Sequence, residues 1–280
     1  MKITVAVPSY NYVQFLPSCL DSILMQDHAD FEILVADGGS TDGSQDVIAK
    51  YCSRHERVRL VSSSDEGQSD AVRKAFQHAS GDVLCFLNAD DCYLCKDALR
   101  TVVDTFAAYP SIDLVTFGGY YVDAEGRWVR PVRYRFHPLD GFHLMKYRTT
   151  VLQPATFWRR SVYDGIEWPM PFHYSFDSVF FYKVFAKKSS WLELPKPVAG
   201  YRIHGGNKSV AISYKRILDI IDFETIKFGP TSPRVIYLRG IAANVRALER
   251  MGSPGAVALQ MLYRLVNSAS FLSVYRLPSI

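Results

Sequence analysis

The sequence predicts an α/β protein: a mostly parallel central sheet with helices on both faces, and a helical extension at the C-terminal end. Three observations point there. In the first hundred of 280 residues, β-branched apolar runs alternate with helical periodicity across short loops. Each of those runs ends in polar or acidic residues, as strands do when they deliver side chains to one sheet edge. Residues 210–280 carry helical patterns broken only at Gly229-Pro230 and Gly252-Ser253-Pro254.

The elements follow in order. ITVAVP (3–8) is the first strand, and apolar spacing from Val13 to Gln26 is helical. FEILVAD (31–37) is the second strand, and Asp42 is placed to cap a helix from Gly43 to Arg54. VRLVSS (58–63) is the third strand, and residues 68–79 form a helix that stops before Gly81. DVLCFLN (82–88) is the fourth strand and 96–108 the fourth helix. Residues 112–131 read as a hairpin turning at Ala124-Glu125-Gly126, and 138–148 as a short helix. A strand end and short helix occupy 153–166, an amphipathic helix 175–189, and a strand running into a Gly-Gly loop 197–209. Three helices, 210–228, 233–251 and 254–272, complete the chain.

The composition, 48% hydrophobic and 21% charged, is that of a soluble globular protein. Its net charge of +4 conceals an asymmetry. Residues 1–100 hold nine Lys/Arg against fifteen Asp/Glu; residues 201–280 hold eleven against four. Such a split suits a cation-and-phosphate ligand at one end and an anionic surface at the other, although solvated surface charge explains it equally well. The basic residues form no nucleic-acid motif, so no nucleic-acid partner is expected. With five cysteines, an odd number at irregular spacing, no disulfide framework is expected. Cys92-x-x-Cys95 lacks a second pair and reads as two incidental thiols. Met1 leads within two residues into what reads as a first core strand, so no signal peptide is expected, and without an apolar stretch of about 20 residues no membrane-spanning helix is expected either. The expected location is the cytoplasm, including the cytoplasmic face of the inner membrane.

At DVLCFLNADDCYL (82–94) an apolar run stops at Asn88, Ala89, Asp90 and Asp91. Adjacent carboxylates at a strand tip repel each other. Hard divalent cations such as Mg²⁺ and Mn²⁺ take oxygen ligands of this kind and share them with phosphates. An N-cap with a neighbouring turn acid would explain the pair too. The other strand ends favour the cation: Pro8-Ser9-Tyr10, Asp37-Gly38-Gly39-Ser40 and Ser62 to Asp65 reach the same edge.

Four motifs occur in order: Pro8-Ser9-Tyr10-Asn11, Asp37 to Ser44, Asp65 to Ala75, and Gly81 to Asp91. Together they resemble the run P-S-x-N, D-G-S-T-D-G-[ST], D-x-G-x-x-D-A-x-N-x-G and G-[DE]…L-[ND]-x-D-D of the family 2 glycosyltransferases. The resemblance is strong over residues 1 to about 110 and weaker over 150–209. It implies the Rossmann-like GT-A fold and an inverting transfer from a nucleotide-diphosphate sugar, by preference a UDP-sugar. The expected setting is bacterial surface-polysaccharide synthesis, with a glycan or lipid-linked glycan as acceptor. Residues 1–209 would be the catalytic domain, 1–110 its nucleotide half and 111–209 its acceptor half, with 210–280 a helical subdomain.

The resemblance also implies roles. Pro8, Tyr10 and Asp37 would line the base and ribose pocket, and Asp65 and Asp70 would flank the nucleotide-sugar. Asp90 matches the last acid of the metal motif and would hold Mn²⁺ or Mg²⁺, with Asp91 second and His204 a further ligand. Asn88 stands where many relatives have Asp, so its sugar contact is weakened. Arg73 replaces the common Asn and would meet phosphate or a neighbouring acid. Arg202 and Lys208 would meet the diphosphate. Gln153 and Trp158 would meet the acceptor, although Trp158 suits core packing as well. Asp177 opens a helix, whose N-terminus favours the ionised acid, and would be the general base that an inverting displacement needs. The C-terminal helices mix Arg234, Arg239, Arg246, Arg250, Arg264 and Arg276 with apolar residues, which suits peripheral membrane contact or a homodimer.

Two rivals remain. A sugar-nucleotide pyrophosphorylase would show a Gly-rich loop with Arg and Lys after the first strand, and VPSYNYVQF has none. A non-catalytic nucleotide-sugar-binding scaffold would keep the nucleotide motifs without a working base.

Overall fold

The computed structural model describes residues 1–132, 151–169, 172, 176–187, 189–206 and 214–251. Its strands are β1 Ile3–Ser9, β2 Phe31–Asp37, β3 Val58–Ser62, β4 Val83–Phe86, β5 Cys92–Tyr93, β6 Leu114–Val122, β7 Trp128–Pro131, β8 Thr156–Arg159 and β9 Trp191–Arg202. Its helices are α1 Leu16–Leu24, α2 Ser44–Arg54, α3 Gln68–Gln77, α4 Ala98–Ala108, α5 Arg160–Asp164, α6 Phe176–Ala186, α7 Tyr214–Phe228 and α8 Pro233–Met251.

All nine strands form one sheet, in the order β3-β2-β1-β4-β8-β6-β9-β5, with β7 paired to β6. The first four are mutually parallel, as strand–helix alternation requires. Beyond them the sheet is mixed. β8 runs antiparallel to β4 and β6, while β9 runs parallel to β6.

Alternate residues of the central strands feed two cores. Ile3, Val5, Val7, Val83 and Cys85 pack with α1 and α4, through residues such as Leu16, Leu20, Leu99 and Phe106. Ala6, Leu84 and Phe86 face α3 and α6, where Phe76, Phe176, Phe180 and Phe181 enclose Trp158. This period-two alternation on strands buried from both sides fixes their register, because a one-residue slip would exchange the two cores. α7 and α8 share a smaller core of Ile221, Val235, Leu238, Ile241 and Ala242. Phe223 of α7 meets Tyr182 of α6 at 5.9 Å between ring centroids. Among the described residues no helix is long and apolar enough to cross a membrane.

Several expectations change in detail. β9 begins at Trp191, well before the predicted start. The backbone of β9 comes so close to Gly118 that a Cβ there would lie 2.6 Å from the Pro195 carbonyl oxygen. Asp42 precedes the N-cap, which is Gly43; its carboxylate instead accepts from the Ser44 N–H at 3.0 Å and the Val13 N–H at 2.9 Å. The helices expected at 138–148 and 254–272, and Lys208, lie outside the described residues.

Candidate active site

The carboxyl ends of β1, β2 and β4 converge. The loop after β1 is laced to the loop after β2: the Asn11 N–H donates to Ser40 Oγ at 2.8 Å, and the Thr41 N–H donates to Asn11 Oδ1 at 2.9 Å. Asn11 adopts a left-handed φ of 56°, which asparagine tolerates better than most residues. Asp37 is fully buried at the heart of this lacing. Its Oδ1 accepts from the Gly39 and Ser40 N–H groups at 3.1 and 2.7 Å, and its Oδ2 from Ser40 Oγ at 2.6 Å. Asp37 therefore shapes the loop from behind rather than presenting a free carboxylate. Pro8 is buried and Tyr10 exposed.

Tyr10 and Asp65 flank Gly38. A Cβ on Gly38 would lie 2.9 Å from Asp65 Oδ2 and 3.1 Å from the Tyr10 ring, so the bare backbone is what lets these two side chains close over it. Asp70 sits behind, paired with Arg73 at 2.5 Å and Lys74 at 2.8 Å. Burial alone would raise its pKa; the two cations and the Glu66 amide outweigh burial and hold it at about 2. Arg73 therefore meets the neighbouring acid, one of its two expected roles.

The Asp90–Asp91 pair divides its work. Asp90 Oδ2 lies 3.0 Å from His204 Nε2. The His204 ring packs against Phe15 at 4.4 Å and edge-on to Tyr12 at 6.2 Å. The Gly206 N–H donates to His204 Nδ1 at 3.2 Å, which places the proton of the neutral ring on Nε2, facing Asp90. The Tyr12 hydroxyl also bonds Asp90; burial first, then Asp90 and Asp91, push this phenol up. Asp91 turns inward, accepting from the Arg202 N–H at 2.9 Å and Asn88 Nδ2 at 3.3 Å. Burial, then the charge of Asp90, raises Asp91.

Arg202 corrects a sequence expectation. Its side chain is only 2% exposed, and its donors go to the interior. Nε donates to the Asp90 carbonyl at 2.6 Å, Nη1 to the Ala124 and Asp123 carbonyls at 2.8 and 3.1 Å, and Nη2 to Ser18 Oγ at 3.3 Å. It staples the acid loop, the β6–β7 turn and α1 together, and does not face a diphosphate.

Two further expectations are corrected by burial. Trp158 is fully buried among Phe76, Phe86, Phe180 and Phe181 and belongs to the core. Gln153 is buried behind Asn88: its Nε2 donates to the Phe86 carbonyl and its Oε1 accepts from Asn88 Nδ2 at 3.3 Å. Asn88 Oδ1 accepts from Gln68 Nε2 at 2.6 Å. With both ends bonded, Asn88 is held as a strut between α3 and the turn that precedes β8.

Asp177 stands in the first turn of α6, next to Phe176, whose ring lies 5.4 Å from Phe86 near the end of β4. That contact sets the helix start beside the end of the strand that leads into Asn88 and Asp90. Burial pushes the Asp177 carboxyl up, while the Ser178 N–H, at 2.7 Å, partly opposes this.

The residues fit a divalent cation in a limited way. Among the described residues no three His, Cys, Asp or Glu side chains converge on one point. Asp90 offers an oxygen ligand, whereas His204 would add Nε2 only by moving its proton to Nδ1 and giving up the Gly206 contact; a cation there would take phosphate oxygens or water for the rest, a common arrangement for Mg²⁺. Tyr12, Phe15 and Gln68 complete the site and went unnamed in the sequence reading; the aromatics of the SYNYVQF loop were the available signal.

A parallel Rossmann-like half-sheet that continues into a mixed half, with acids at the strand ends, is the GT-A class of fold. The chain matches the profile of glycosyl transferase family 2 over residues 4–168 and belongs to that family. An uncharacterized glycosyltransferase of Nostoc sp. is 36% identical over 107 residues, 38% of this chain and 33% of the relative. A PGL/p-HBAD biosynthesis glycosyltransferase of Mycobacterium bovis is 30% identical over 164 residues, 58% of this chain and 61% of the relative. The chain thus spans between a third and three-fifths of these relatives. Among solved structures, S. aureus TarS 1-349 in complex with UDP-GlcNAc aligns with a TM-score of 0.60 at 22% identity, over 80% of this chain and 67% of that one. The mannosyltransferase PcManGT from Pyrobaculum calidifontis, in complex with GDP-Man and Mn²⁺, aligns with a TM-score of 0.60 at 17% identity, over 98% and 81%. At these identities the structural likeness is one of fold.

Proposed function

We propose that this chain is an inverting glycosyltransferase that moves a sugar from a nucleotide-diphosphate sugar to a glycan or lipid-linked glycan acceptor. The observation that carries this reading is the convergence of the Tyr10–Gly38–Asp65 cluster and the Asp90–His204 pair at one sheet edge. The exposed Tyr10 ring and Asp65 would border the nucleoside, and the pair would lie under the diphosphate. UDP is the preferred nucleotide; the UDP-GlcNAc named for TarS supports it, and the GDP-Man named for PcManGT makes GDP the next to test.

Asp90, joined by His204 once its ring changes tautomer, would hold Mn²⁺ or Mg²⁺, which when bound neutralises charge on the departing diphosphate. Arg202 fixes the Asp90 main chain, and Tyr12 and Phe15 fix the His204 ring. Asp177 takes the acceptor hydroxyl proton as that oxygen bonds the anomeric carbon and the bond to the diphosphate breaks. A half-buried carboxylate whose pKa is raised is a better proton acceptor than a fully exposed one, provided the pH keeps it ionised. α7 and α8 leave Ile226, Ile236 and Tyr237 exposed near Arg239, which supports peripheral contact with an anionic membrane surface. A homodimer through the same face is the other outcome that a sedimentation measurement would detect.

The test is Asp177→Asn, assayed for nucleotide binding and for transfer from UDP-sugars to a panel of glycans. Binding should persist while transfer falls by at least about a hundredfold, the low end of what a general base contributes. Transfer at the wild-type rate would remove Asp177 from the mechanism.

A further inference from the structure

The β6–β7 hairpin carries an aromatic group that the transfer chemistry leaves unused. Trp128, first residue of β7, is 61% exposed, the highest value among the large hydrophobic side chains of the described residues. It stands opposite Val122. Its ring stacks on Tyr120 at 4.5 Å between centroids and 22° between planes. One face is therefore covered and held flat, which leaves the opposite face for solvent. Val129 beside it is also exposed.

The hairpin is tied to the acid loop. Its turn carbonyls, Asp123 and Ala124, accept from the same guanidinium that donates to the Asp90 carbonyl. In register, Arg202 on β9 pairs with Val122 on β6, and Val122 pairs with Trp128 on β7. Two strand spacings put Trp128 roughly 10 Å from the Arg202 backbone, within reach of a short oligosaccharide whose end lies at Asp90. The platform is one ring face with a small apolar margin. Protein interfaces bury about 800 Å² on each partner, far more than this patch offers. A flat apolar ring edged by charged groups, here Arg127, Asp123 and Glu125, instead matches a sugar ring, which has an apolar face and a polar rim.

We propose that the open face of Trp128 is a carbohydrate subsite, which stacks a sugar ring of the acceptor glycan away from the hydroxyl that reacts. This rests on the transferase reading for the identity of the ligand, but its test does not need a nucleotide.

The experiment is binding of the full chain to an array of bacterial surface glycans, comparing wild type with Trp128→Ala and Trp128→Phe. Wild type should bind a defined set of glycans. Trp128→Ala should weaken that binding by about tenfold, as expected for exposing one apolar ring face, while Trp128→Phe retains most of it. Because the ring is exposed, thermal unfolding should be nearly unchanged in both variants, which separates lost binding from lost folding. No array binding by wild type, or equal binding by wild type and Trp128→Ala, would overturn the subsite. Glycan binding without binding of any nucleotide would sink the transferase reading and leave the platform standing; the reverse would sink only the platform.

Discussion

Replacing Arg202 with Met tests the idea that one buried cation organises the acid loop. Met keeps most of the apolar stem and removes every donor. Three carbonyls, Asp90, Ala124 and Asp123, lose a partner at 2.6, 2.8 and 3.1 Å. A buried acceptor left without a partner costs about 1–3 kcal/mol. The Asp90 carbonyl carries the full penalty, because its partner bond is buried. The two turn carbonyls carry less, because water reaches their half-buried side of the hairpin. Loss of the nearby positive charge adds to the mutual repulsion of Asp90 and Asp91. The sum is about 3–5 kcal/mol, in the range for breaking a buried charged pair. Urea unfolding at neutral pH would read it as a lower midpoint with an unchanged slope. Arg202→Lys should recover only part, since one ammonium cannot span the three carbonyls and Ser18. A loss below about 1 kcal/mol for Arg202→Met would refute the staple.

Other outcomes follow from named contacts. Glu32, near the opposite end of the sheet, accepts from Thr4 Oγ1, the Ser80 N–H and Ser80 Oγ at 2.7, 2.6 and 2.8 Å. Burial alone would raise it; these donors and Lys2 outweigh burial and lower it from 4.5 to about 2. A folded pKa below the unfolded one means that its stabilisation is complete above about pH 4.5 and is lost as the pH falls toward 2. Glu32→Gln should therefore cost about 2–3 kcal/mol at pH 7, and its difference from wild type should shrink below pH 4.5. A pH-independent difference in urea titrations would contradict this. Gly38→Ala puts a methyl group 2.9 Å from Asp65 Oδ2 and 3.1 Å from the Tyr10 ring. By pushing Asp65 and Tyr10 apart it should weaken nucleotide binding by about tenfold or more with the fold intact; unchanged calorimetric affinity would remove Gly38 and its two neighbours from the pocket.

The parallel half of the fold was legible because each of its strands is a short apolar run bounded by turn residues, and each helix has its own periodicity. β2 occupies Phe31–Asp37 and α8 Pro233–Met251, the limits expected from sequence. β5 was not legible: two residues, Cys92 and Tyr93, are too few to show a pattern, and their strand exists only because β9 passes alongside. The first half of β9 was hidden by Pro195 and Pro197, which read as breakers; Gly118 makes room for them from the neighbouring strand. In the site, the motifs named Asp90 and His204, residues far apart in sequence that meet at 3.0 Å. Residue type could not tell which polar groups face inward. Arg202, Gln153 and Asp37 are polar and stand within or beside the motifs, yet the structure uses each to hold backbone or neighbouring side chains. Tyr12 was overlooked because its hydroxyl finds Asp90 only once the β1 and β4 ends lie side by side.

The most direct measurement is calorimetric titration of wild type and Asp90→Ala with UDP, GDP and dTDP, each with and without Mn²⁺. The account predicts Mn²⁺-dependent binding of one nucleotide, with UDP favoured, and its loss in Asp90→Ala. A folded wild-type protein that binds none of the three would contradict it, and so would an Asp90→Ala variant that binds as tightly as wild type.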